Sequence, residues 1–154
     1  MNPKERIRIV EAYFRKIDAK DATVFDLFTE DVQMFFPKFG FGYGKADMIQ
    51  FSEIMGRHLE RLEHDIENFN YIVAGDSVVV EGTERGVTRN DVRWPDGLIS
   101  EGRFCNVFEF RGDLIRRVFI YVDPDYTSAD QERIAIFRGN QRNPIVDVSP
   151  HSSN

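Results

Sequence analysis

Apolar positions in the first part of the chain recur at helical spacing. Ile7, Val10, Phe14 and Ile17 fall at steps of three and four, which makes one stripe of a helix over residues 4–19. Pro3 suits the first turn of that helix. A second, short helix is predicted over residues 21–28, with Asp21 as N-cap and Val24, Leu27 and Phe28 inward. A third is predicted over residues 45–62, burying Met48, Phe51, Met55, Leu59 and Leu62. Between the second and third, EDVQMFFP predicts a strand ended by Pro37.

The pattern then turns to strands. Four β segments are expected, over residues 64–74, 77–89, 99–111 and 114–123. Gly75-Asp76, Pro95-Asp96-Gly97 and Gly112-Asp113 separate them. Such short connections make antiparallel neighbours. Helices followed by consecutive strands predict an α+β domain: an antiparallel sheet with the three N-terminal helices on one face. Residues 1–126 form that domain. Beyond it, a polar helix over 128–138 and a polar tail are expected, either loose or reaching onto a partner subunit as an arm.

Strand alternation assigns side chains to faces. In GRFCNVFEF, Gly102, Phe104, Asn106, Phe108 and Phe110 share the face under the helices, and Arg103, Cys105, Val107 and Glu109 share the other. Asn106 therefore sits among phenylalanines, where an amide needs partners. Over 64–74 the period leaves two choices. Either His64, Ile66, Asn68, Asn70 and Ile72 face the helices, or Asp65, Glu67, Phe69, Tyr71 and Val73 do, and a bulge would shift the pattern. In FPKFGFGYGK, Phe36, Phe39, Phe41 and Tyr43 alternate with glycines. That segment is either a core-capping loop or a flexible rim over a pocket.

Composition adds a requirement for volume. Of 154 residues, 14 are Phe, 5 Tyr and 1 Trp, so the rings need a large core or a cavity. The formal net charge of −6 argues against a nucleic-acid footprint and against anionic membranes. The longest apolar run, residues 118–122, is too short to span a bilayer. Helical periodicity starts almost at Met1, so the expectation is a cytoplasmic protein without a signal peptide. One cysteine, Cys105, cannot form an internal disulfide, and it lies on the non-aromatic face without an activating base. His58 on the third helix, His64 and His151 in the tail are too scattered to suggest a metal site.

In the order of its elements the chain resembles the nuclear transport factor 2-like superfamily, and within it the SnoaL-like enzymes. The resemblance spans residues 5–126. It is carried by IDAKDATVFDLFTEDV, by GYGKADM at the opening of the third helix and by RGDLIRRVFIYVDPDY closing the sheet. It implies a cone-shaped α+β barrel, its curved sheet wrapped around the helices and a pocket between, often in a homodimer. Against ketosteroid isomerases, Tyr13 matches an oxyanion-binding tyrosine and Asn106 a protonated aspartic acid, but Phe36 replaces the proton-abstracting aspartate. Against limonene epoxide hydrolases, Arg85 matches a site arginine while Ile120 replaces a catalytic aspartate. The match to scytalone dehydratases is better: Asp18 falls on their helix aspartate, His64 on the histidine it orients and Asn106 on a substrate-contacting asparagine. Their second site histidine has no counterpart on the 77–89 strand, and Ile17 replaces a tyrosine.

An Asp–His pair is an acid/base device, because the carboxylate fixes the tautomer and raises the basicity of the other ring nitrogen. Tyr13 and Asn106 are candidate donors to a carbonyl or enolate oxygen. Tyr13 and Asp18 lie about 140° apart on a helix, so both reach the pocket only if it wraps around that helix. The expected lining comprises Tyr13, Phe14, Phe36, Met55, Phe104, Asn106, Phe108 and Ile120, with Tyr43 and Arg85 as further substrate contacts. Two functions fit. One is a dehydratase, isomerase or cyclase that needs no cofactor or metal and acts on a mostly apolar, oxygenated small molecule. The other is a non-catalytic binding module or accessory subunit. Val107, Phe119 and Tyr121 on the outer sheet face suggest a homodimer.

Overall fold

The computed structural model describes residues 1–96 and 100–123. The expected helix over 128–138, the tail and the middle of the turn at 97–99 lie outside them. Helix α1 spans Pro3–Asp18. A capping box starts it: Glu5 N–H donates to Asn2 Oδ1 at 3.0 Å, and Asn2 N–H donates to Glu5 Oε2 at 2.8 Å. A 3₁₀ helix follows at Ala22–Leu27, capped by Asp21, whose Oδ1 accepts from Thr23 N–H at 2.9 Å. The strands are β1 Phe28–Phe36, β2 Gly40–Tyr43, β3 Leu59–His64, β4 Asn70–Ala74, β5 Ser77–Thr88, β6 Arg93–Trp94, β7 Arg103–Arg111 and β8 Leu114–Val122. Helix α2, Gly44–His58, lies between β2 and β3.

The sheet runs β2-β1-β8-β7-β5-β3, with β4 and β6 also pairing β5, and its edges do not close. The meander β4-β5-β7-β8 is antiparallel, as the short turns require. One pairing is not: β1 lies parallel to β8. It covers the last edge of the meander, whose backbone groups would otherwise lack partners. The curved sheet and the three helices enclose the core, giving the expected α+β cone.

Three local expectations change. The third helix ends at His58, and LERLEH is strand β3. Leu59 and Leu62 fit the helical stripe, but pairing with β5 supplies the backbone partners that decide the outcome. The segment expected as one strand over 64–74 is interrupted by a 3₁₀ turn at Ile66–Asn68. The turn changes the parity, so His64 and then Phe69, Tyr71 and Val73 all pack inward, while Ile72 is exposed. FPKFGFGYGK is a β1–β2 hairpin, turning through Lys38 and Gly40 at φ of 71° and 84°. Phe36, Phe39 and Phe51 cluster beneath it, with ring centroids 4.9 to 5.7 Å apart. The rings serve the core, and Phe36 and Phe51 also face the cavity.

Candidate active site

A cavity of about 470 Å³ lies between the sheet and the helices, within the ~300–1,000 Å³ range usual for small-molecule sites. Its walls are mostly aromatic and aliphatic, including Phe28, Phe36, Phe51, Phe104 and Ile120. It wraps around the end of α1, so Tyr13, Ile17 and Asp18 all line it. Charged residues also line it: Lys16, Lys20, Asp21 and Glu53, and a buried cluster of Asp18, His64 and Glu84.

Three elements build that cluster. Asp18 is the last residue of α1, His64 the last of β3, and Glu84 faces inward from β5. The β3–β5 register sets His64 directly opposite Glu84. Asp18 holds His64 twice: its Oδ2 accepts from the His64 backbone N–H at 2.9 Å, and its Oδ1 lies 2.5 Å from Nδ1. On the other side of the ring, Nε2 is 3.2 Å from Glu84 Oε2. The side chains of His64 and Glu84 are only 7% and 4% exposed. Phe14 and Phe104 pack edge-on to the imidazole, with centroids at 4.8 and 5.3 Å.

Burial of this ring opposes its charge. The hydrogen bonds to Asp18 and Glu84, reinforced by the charges of both, outweigh it and push the pKa of His64 up to about 9. An ionised carboxylate only accepts hydrogen bonds, so two of them call for a proton on each ring nitrogen. Beside the cluster, burial first and then the charges of Glu84 and Asp18 push the Tyr13 hydroxyl far up, so it stays protonated and able to donate. Among the described residues its hydroxyl has no hydrogen-bond partner, nor does the buried Asn106 Oδ1. Asn106 also lines the cavity, so a ligand there would meet an unsatisfied amide.

A model of the SnoaL-like domain matches residues 10–118. The chain belongs to the SnoaL-like family. Solved structures of this fold are similar over most of their length. An NTF2-like protein of unknown function from Burkholderia pseudomallei is 18% identical with a TM-score of 0.67, covering 88% of this chain and 98% of that one. A candidate polyketide cyclase from Xanthomonas campestris is 22% identical with a TM-score of 0.66 and the same coverage. TerC, co-crystallised with polyporic acid, is 20% identical with a TM-score of 0.61, over 84% of this chain and 98% of TerC. No curated protein matches.

Within this SnoaL-like cone, Tyr13, Asp18, Phe36, Met55, His64, Phe104, Asn106 and Ile120 line one cavity. Four expected contacts lie elsewhere. Phe14 and Phe108 are fully buried behind the wall, Phe14 against His64 and Phe108 against Tyr13 at 5.1 Å. Tyr43 N-caps α2, and its backbone N–H donates to Asp47 Oδ2 at 2.7 Å. Arg85 points outward from β5, 71% exposed, and pairs with Glu63 at 2.7 Å. It is one residue out of phase with the inner face.

The sequence reading missed Glu84. The signal was available: Val78, Val80, Gly82, Glu84 and Gly86 alternate along β5, which puts a carboxylate on an otherwise apolar face. The expected free nitrogen on His64 is also corrected, since Glu84 stands at that nitrogen. Cys105 stays off the inner face, and burial together with Glu81 pushes its thiol up, away from the reactive thiolate. Among the described residues no helix is long and apolar enough to cross a membrane.

Proposed function

We propose that this chain is a cofactor-independent acid/base enzyme, of dehydratase, isomerase or cyclase type, acting on a mostly apolar, oxygenated small molecule. The observation that supports this reading is the hydrogen-bonded Asp18–His64 pair on the wall of an aromatic cavity shared with Tyr13 and Asn106. Apolar walls hold the ring system, and Tyr13 and Asn106 offer polar contacts to its oxygens. A charged cluster held in fixed positions on a largely apolar wall moves protons with little reorganisation. The test follows hydrogen–deuterium exchange and water loss on a panel of cyclic ketones and hydroxy-ketones by NMR. Turnover that vanishes in Asp18→Asn supports the reading. No exchange or water loss on any member rejects it.

One observation favours the second reading, a binding module: both ring nitrogens of His64 already face carboxylates. Tight binding of the same ketones without exchange would decide for it.

The outer sheet face supports a homodimer as its second part. Phe35, Phe41, Phe119 and Tyr121 form a cluster of rings 5.2 to 6.0 Å apart, and Phe41 and Tyr121 are 38% and 47% exposed. Contiguous exposed rings mark interaction surfaces. A monomer by sedimentation at micromolar concentration would reject the dimer.

A further inference from the structure

We infer that Glu84, and not His64, is the group that exchanges a proton with the bound molecule, His64 remaining a fixed cation between two carboxylates. The inference rests on the acid/base reading above and names its proton-transferring residue.

The geometry separates the three members of the cluster. Asp18 and His64 line both the main cavity and a cleft on the opposite side, near Arg15, Glu63 and Glu67, whereas Glu84 lines the main cavity alone. Asp18 is committed to His64 through both oxygens, one on the backbone N–H and one on the ring. Nδ1 of His64 is turned to Asp18 and Nε2 to Glu84. A ring that donates from both nitrogens has no lone pair with which to take a substrate proton. Of this cluster, Glu84 is then the carboxylate that the His64 ring holds through one oxygen, 4% exposed on the cavity wall, and its charge helps keep the Tyr13 hydroxyl protonated.

The step balances without any co-reactant. Glu84 takes a proton from the carbon next to a carbonyl. The C–H electron pair becomes the C=C bond of an enolate, and the carbonyl π pair moves to oxygen. Negative charge passes from Glu84 to that oxygen while the His64 cation stays beside both, and the Tyr13 hydroxyl donates to the new oxyanion. Glu84 then returns the proton: in a dienolate to the far carbon, as the oxygen pair re-forms the carbonyl and the double bond shifts, which is isomerisation; in a β-hydroxy ketone to the hydroxyl, whose C–O bond breaks as the carbonyl re-forms and a C=C bond remains, and water leaves.

Among the described residues, the charged groups that meet the imidazole are Asp18 from α1 and Glu84 from β5; the Arg15–Glu67 ion pair, Glu63 and Asp65 lie around the outer cleft. The experiment compares wild type, Glu84→Gln and Glu84→Asp for deuterium exchange at the α-carbon of the neutral ketone panel. Binding of the same ketones is measured alongside, and the ring nitrogens of His64 are followed by ¹⁵N NMR. Glu84→Gln is expected to lose roughly a hundredfold or more of the exchange rate while binding stays within about threefold, and Glu84→Asp to recover part of it. The wild-type ring is expected to carry two protons at pH 7. If His64 were the base, removing the Glu84 charge would weaken the ring's hold on its second proton and keep or raise exchange. That outcome, or a wild-type ring with one proton, overturns the inference even if Glu84→Gln fails to fold. A wild type with no exchange on any ketone removes the acid/base reading and this inference with it. An active wild type with an equally active Glu84→Gln removes only the role given to Glu84.

Discussion

His64 and Glu84 face each other across adjacent antiparallel strands, and their side chains meet at 3.2 Å between Nε2 and Oε2. A cross-strand pair of this kind normally lies on a solvated face. Here it lies inside, with Asp18 closing the far side of the ring. The cation is what allows two carboxylates to be buried so close together.

Removing that cation should therefore be costly. His64→Ala leaves Asp18 and Glu84 uncompensated and vacates a ring packed against Phe14 and Phe104. A loss on the order of 3–5 kcal/mol is expected. Adding Glu84→Gln to the same chain should recover part of it, because one unpaired charge is gone. Urea denaturation of the two single variants and the double variant measures the coupling directly.

The cluster also sets a pH dependence of stability. The folded-state pKa of His64, about 9, lies above its ordinary value of 6.5. A raised pKa of a cationic group stabilises the fold fully below 6.5 and loses that contribution as pH rises through 9. The contribution is on the order of 3 kcal/mol. Urea midpoints at pH 6 and pH 10 should differ accordingly in wild type. Against the double variant His64→Gln, Glu84→Gln, that difference should shrink. An equal slope in both would assign it to other groups.

Asn106 should show a trade between stability and activity. Its Oδ1 is buried without a partner among the described residues, a cost of about 1–3 kcal/mol. Asn106→Leu removes the unsatisfied group at similar volume, so the thermal midpoint should rise or hold. Turnover on the ketone panel should fall by roughly a hundredfold if the amide contacts the substrate oxygen. A variant that loses stability and keeps its activity would contradict both halves.

Gly82 tests the wall behind the site. A Cβ there would come within 2.6 Å of the Phe69 ring and 3.0 Å of Phe104. Gly82→Ala must displace rings that pack against each other and around His64. A destabilisation of about 1–3 kcal/mol is expected, with a shifted His64 ring resonance by NMR.

Periodicity along the chain determined much of this protein. The stripe of α1, the meander β5-β7-β8 and the inward set Phe104, Asn106, Phe108 and Phe110 all follow from local spacing and turn residues. Local spacing suffices there because each pattern fits only one element. Asp18 and His64 were identified as a pair because they match a known arrangement, and the fold brings them to 2.5 Å. Three features were decided by tertiary structure. LERLEH suits both a helical stripe and a strand, and only β5 alongside it settles the choice. The parallel β1–β8 pairing depends on which edge the closing meander leaves open. The partner of His64 depends on both: once LERLEH is a strand in this register, Glu84 must stand opposite the imidazole. A contact between residues twenty positions apart in the chain is fixed by strand register, and register is set by pairing in space.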